Sequence, residues 1–148
     1  MKLFHALDAP PEEARALNAV GRHAARLGLH NTARQHGQAA LVLTRQHHDP
    51  SGEAATLDSL GYIDHLAGEH QRAVEHYGQA LAAFRAMGDT YSAAHSLDGL
   101  GHPHIALGQH NQAREVWYEA LELYRRQGCD TDADRVRRQL QDLDAGLS

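Results

Sequence analysis

Apolar and small residues recur along this chain with two nested periods. The short period is helical. Leu57, Leu60 and Gly61 fall at i, i+3 and i+4, which is one face of a helix. Ala73, Tyr77, Ala80, Leu81 and Phe84 fall at i, i+4, i+7, i+8 and i+11, the stripe of a second amphipathic helix. Gly68 lies between them, where a helix that ends in the left-handed conformation favours glycine. The pattern predicts a helical hairpin in which Gly61 and Ala73 face each other, small enough for a close approach. The long period is about forty residues. Shifted forward by it, the stretch returns as Leu97, Leu100, Gly101, Gly108, Ala113, Trp117, Ala120 and Leu121; shifted back, as Leu17, Val20, Gly21, Gly28, Ala33, Gly37, Ala40 and Leu41. No insertion or deletion is needed. A hairpin cannot bury its stripe alone, so its neighbours must cover it.

The expected elements follow in order. Residues 1–11 are a lead-in, with Leu3, Phe4 and Leu7 docking on the first hairpin. Pro10 and Pro11 before Glu12 and Glu13 mark a helix start. Repeat 1 spans 12–48, with helices from about Glu12 to Leu27 and from about Asn31 to His47, closed by His47 and His48. Asp49, Pro50 and Ser51 form a break and a new cap. Repeat 2 spans 51–88 and its second helix ends near Met87. Repeat 3 spans 90–128: Asp89 caps a helix ending near Leu107, and a sixth helix runs to about Gln127, stopped by Gly128. A last helix, 130–145, starts on Asp130 or Thr131 and reaches about Leu143. Arg137 and Arg138 stand there where apolar and small residues are expected, which marks a terminal capping helix. The run from Leu143 to Ser148 reads as a natural end, whereas the start leaves room for the chain to be the C-terminal piece of something longer.

These residues resemble the tetratricopeptide repeat. That family wants a large apolar residue, a leucine-glycine pair, then glycine, alanine, an aromatic and alanine at set offsets. Repeats 2 and 3 match at nearly every place; repeat 1 departs at Gly37, where the aromatic belongs. The period is longer than the common one, as in repeats with an extra turn in the second helix. The resemblance implies one all-α domain over 1–148: a right-handed solenoid of three helical hairpins plus a C-terminal capping helix. Residues 54–63 and 73–81 also resemble the C-terminal repeats of large actinobacterial transcriptional regulators of the antibiotic-regulatory-protein type, in which such repeats sense or dock a partner. That resemblance implies a protein- or peptide-binding scaffold, the sensor or docking region of a bacterial regulator. The alternative is self-association of an exposed solenoid end into a homodimer.

The resemblance also places a groove. First helices of successive hairpins line a concave face, and the residues matched to it are Arg15, Asn18 and Arg22, then Asp58, Tyr62 and His65, then His95, Asp98 and His102, with Arg135 and Arg138 from the capping helix. The expected groove has basic ends and, in the middle, aromatic and imidazole groups beside a solvated acidic pair, Asp58 and Asp98. The repeated lysine and asparagine set with which related repeats clamp a terminal carboxylate is missing, so a chaperone-tail adaptor is not expected.

Composition narrows the chemistry. The formal net charge is −5, which argues against this segment gripping nucleic acid through phosphates. No apolar run is long enough to span a membrane. The lone Cys129 fits a reducing cytoplasm. Thirteen histidines raise the question of metal, but no His-Glu-x-x-His or cysteine pair exists. His30, His70 and His110 recur once per unit and are expected to pack. His102 and His104, two apart, lie on different sides of a helix. Asp58, His65, Asp98 and His102 could converge for acid–base work, yet no nucleophile elbow or phosphate loop accompanies them. No metal, cofactor or enzymatic activity is expected. Pro103 falls inside the fifth helix, where it should bend the helix or free the Gly99 carbonyl while the rest stays intact.

Overall fold

The computed structural model describes residues 10–146, so the expected docking of Leu3, Phe4 and Leu7 lies outside the described residues. Within them the chain forms α1 (Pro10–Arg26), α2 (His30–Gln46), α3 (Pro50–Leu66), α4 (His70–Met87), α5 (Thr90–Ala106), α6 (His110–Arg126) and α7 (Asp130–Asp144). They are paired as α1/α2, α3/α4 and α5/α6 in a right-handed solenoid, with α7 packed on the end.

Local chemistry explains the boundaries. Pro50 occupies the first turn of α3, where its missing N–H costs nothing. The Asp49 carboxylate accepts a hydrogen bond from the Gly52 amide at 3.0 Å, and Asp89 accepts one from the Ser92 amide at 3.2 Å. A Cβ on Gly52 would sit 2.1 Å from the Asp49 carboxylate oxygen, so the cap and its glycine come as a set. The capping helix departs from expectation: Cys129 holds the cap position without a side-chain bond, and Asp130 is already inside α7. At the end of α4, Gly88 adopts a left-handed φ of 70°. The equivalent residue after α2 is His48, which is held at φ 50°, a strained state for a side chain with a Cβ.

The core is built on rings seated against glycines. A Cβ on Gly61 would lie 2.7 Å from the Tyr77 ring, and one on Gly101 would lie 2.1 Å from the Trp117 indole. The small residues therefore admit an aromatic between the paired helices, rather than only letting Gly61 approach Ala73. Gly99 serves the same purpose: the far edge of the Tyr77 ring would be 2.5 Å from a Cβ there. In repeat 1 the missing aromatic is replaced from the next repeat, since Leu60 reaches back to within 2.5 Å of the Cβ position of Gly37, with Ile63 beside it. Leu60, Leu100 and Leu140 occupy equivalent positions and are all buried.

Pro103 does not break its helix. α5 runs continuously through it, and the ring is fully buried at the position that Ile63 holds in the preceding repeat. Its missing N–H leaves the Gly99 carbonyl without the usual helical donor.

Candidate functional site

The first helices and the capping helix place polar residues on one face. On α5, Tyr91, His95, Asp98 and His102 fall at i, i+4, i+7 and i+11, and on α7, Asp132, Arg135 and Gln139 fall at i, i+3 and i+7. With Arg22 from α1, Tyr62 from α3 and the Tyr77 ring at Gly99, they line an open cavity of about 360 Å³.

Its charges are internally paired. Asp58 accepts a hydrogen bond from the Ser96 hydroxyl at 2.8 Å and lies 3.3 Å from His95 Nδ1 and 3.6 Å from Arg22 Nη1. Arg22 also donates to the Ser59 hydroxyl at 3.3 Å and stacks over the Tyr62 ring, 4.3 Å from its centroid. Asp98 accepts from Arg135 Nη2 at 2.5 Å, from Gln139 at 3.1 Å and from the Tyr124 hydroxyl at 3.4 Å. Arg135 reaches Asp132 as well, at 2.8 Å, and Tyr91 donates to the same carboxylate at 3.3 Å. The expectation of a solvated acidic centre is therefore wrong: Asp58 and Asp98 are each only 6% exposed, beneath Arg22, His95 and Arg135. Burial is possible because each carboxylate finds several donors. What faces solvent is guanidinium, imidazole and phenol, with the half-buried Asp132 and Gln139 among them.

A hydrogen bond repeats with the fold. Asn18 donates to Thr56 at 3.0 Å, and Ser96 donates to Asp58. Each joins one first helix to the next at the same register. At the third junction the partner position is Val136, and Arg135 with Gln139 takes over on Asp98.

Of the eleven groove residues expected from sequence, Arg22, Tyr62, His95, Asp98, His102 and Arg135 line the cavity, and Asp58 lies under it. Asn18 is buried between α1 and α3. Arg15 is exposed and paired with Glu12, and Arg138 is exposed outside the lining. His65 belongs to a neighbouring hollow with His102, Trp117, Gln139 and Asp142. Sequence reasoning missed Tyr91, Asp132 and Gln139, although extending the helical spacing by one turn on α5 and α7 would have found them. It also credited Gly99 to the proline rather than to the Tyr77 ring.

The histidines divide by environment. The bond to Asp58 raises the His95 pKa against the opposing effect of burial. His65 is lowered to about 4, first by burial and then by His70 and His102. Its Nδ1 lies 3.0 Å from His70 Nδ1, and its ring centroid is 6.1 Å from that of His102. The native state therefore holds His65 neutral while the unfolded chain protonates it near 6.5. Its contribution to stability is complete above about pH 6.5 and is lost as pH falls toward 4. Thermal melts from pH 7 to 4.5 should show a decline that His65→Gln reduces; an equal decline in the variant would assign it to other groups. The three recurring histidines do not act alike: His70 packs on His65, His30 is half-buried and His110 is exposed.

Acid–base convergence is not the arrangement found. Asp98 is held by Arg135, Gln139 and Tyr124, and His65 sits on His70. Asp58 stands between Ser96 and His95, so the serine hydroxyl donates its hydrogen bond to the carboxylate and not to the imidazole. A hydroxyl nucleophile needs the opposite order. Among the described residues no three His, Cys, Asp or Glu side chains gather as a metal site, and no helix is long and apolar enough to cross a membrane.

Helical hairpins stacked in register, with a polar face formed by their first helices, define a repeat scaffold of the protein-binding class. The chain belongs to the tetratricopeptide repeat family: that family's profiles match residues 12–86 and 93–126. None of the curated proteins matches it significantly. Among solved structures it is similar to BtubC (BKLC) from P. vanneervenii, with 18% identity and a TM-score of 0.83 over 95% of this chain. At that identity the likeness is one of fold. The chain spans 57% of the length of that protein.

Proposed function

We propose that this chain binds an extended segment of a partner protein in the cavity between α1, α3, α5 and α7. The observation that supports this reading most is the cavity itself, about 360 Å³ and open to solvent, with phenol, imidazole and guanidinium groups on its surface. Such groups contact both backbone carbonyls and side chains of a peptide, and the network beneath holds them in place before a ligand arrives. The finer reading is a sensor or docking region of a bacterial transcriptional regulator acting in the cytoplasm. The resemblance of residues 54–63 and 73–81 to such repeats supports it, together with the free Cys129. Self-association through the first hairpin is the second reading, and the exposed side of α1 favours it.

A displayed peptide library tests the groove. Enriched peptides should lose at least tenfold in affinity, about 1.4 kcal/mol, on Tyr91→Ala combined with Gln139→Ala; the melting temperature should fall by a smaller step, because Asp98 loses the Gln139 donor but keeps Arg135 and Tyr124. Glu75→Lys and Glu122→Lys, on outer faces, should leave binding intact. Loss with the outer pair and retention with the groove pair would move the binding surface to the convex side.

A further inference from the structure

The described end of the solenoid at α1 lacks the packing that every later repeat has. Ala16, Val20 and His23 stand at the positions of Thr56, Leu60 and Ile63, of Ser96, Leu100 and Pro103, and of Val136, Leu140 and Leu143. All nine of those residues are buried, and Leu60 and Ile63 show why, since they seat on Gly37 in the preceding hairpin. In α1 the three equivalents are exposed, Val20 at 48%, and Leu27 continues the same stripe at 62%. Ala16, Val20 and His23 fall at i, i+4 and i+7, one face of the helix, and Leu27 follows in the turn just beyond it. The stripe is thus a packing surface by register, with the side chains expected of one.

Charge identifies an occupant. α1 carries Glu12 in its first turn, exposed and in a weak surface pair with Arg15, and His23 and Arg26 in its last, while Glu13 is buried and takes no part in the contact. Glu12 and Arg26 flank the stripe on the same side and both are exposed. A helix with this distribution complements itself when two copies lie antiparallel about a two-fold axis, because each acidic end then meets a basic end, and the helix dipoles also oppose.

Resting on the second reading of function, we propose that two copies of this chain associate through α1, antiparallel about a two-fold axis near Val20. Glu12 of each copy lies by the Arg26 end of the other. The contact is confined to one helix, which is small for a stable interface, so the dimer should be populated only at about tens of micromolar and above. This surface is separate from the groove, and the dimer presents two grooves.

Sedimentation velocity from about 1 µM to about 1 mM, spanning weak affinities, tests it. The wild-type chain should shift to twice its monomer mass. Val20→Arg should raise the dissociation constant at least tenfold, with an unchanged melting temperature because the residue is exposed. Glu12→Arg and Arg26→Glu should each weaken association about threefold, and the double variant should recover most of the loss. A monomer throughout the range would overturn the proposal and the self-association reading together; a lowered melting temperature for Val20→Arg in that monomer would mean that the chain's own preceding residues cover the face. A dimer indifferent to Val20→Arg, or a charge swap that fails to recover, would overturn the α1 geometry while leaving self-association standing.

Discussion

Replacing both Asp58 and Asp98 with lysine should leave the chain without a cooperative thermal transition. Each carboxylate is buried and collects donors from two or more helices: Ser96, His95 and Arg22 around Asp58, and Arg135, Gln139 and Tyr124 around Asp98. A lysine at either place would lose those bonds and set a cation against Arg22 or Arg135. Removing one member of a buried pair costs about 3 kcal/mol or more, and here the replacement repels as well. Two such changes rival the whole stability of a small domain, roughly 5–15 kcal/mol. Circular dichroism melts of the double variant beside Asp58→Asn, which keeps an acceptor for Ser96, would measure this. A double variant that melts within a few degrees of the parent would mean that the acids are solvated after all. For the same reason these residues are poor probes of binding, since their loss removes the scaffold with the site.

Gly101→Ala should be the most damaging single-methyl change among the helical glycines described. The added carbon would lie 2.1 Å from Trp117 Cε2 and Nε1. The indole is 2% exposed and donates to the Asp98 carbonyl at 2.9 Å, so it cannot retreat without breaking that bond and disturbing the backbone that carries Asp98. Overpacking together with a lost buried hydrogen bond should cost about 3 kcal/mol, a fall of roughly 10 °C in melting temperature. Gly78→Ala is the control. Nothing lies within 4 Å of its added carbon, so the substitution should gain up to about 1 kcal/mol from helix propensity. Calorimetry of the two variants would separate them. Equal shifts would contradict the register of α5 against α6.

The sequence by itself determined the repeat and the helix count over the described residues, and the helix ends it named lie within about two residues of those observed. These are local matters. Period, glycine stops and aspartate caps act over one or two turns, and a chain that repeats without insertion repeats its structure. About half of the residues lining the cavity were legible too, since Arg22, Tyr62, His95, Asp98, His102 and Arg135 follow from helical spacing and family register. Tertiary structure alone decided what those residues do. Whether Asp58 is solvated depends on Ser96, His95 and Arg22, all distant in sequence, and helical spacing on α3 is blind to them. Leu60 filling the place of the aromatic absent at Gly37 is likewise a contact between repeats, as is the Tyr77 ring lying on Gly99. Charge and burial arise where helices from different repeats meet, and a one-dimensional pattern records which residues share a face but not which donors come to cover it.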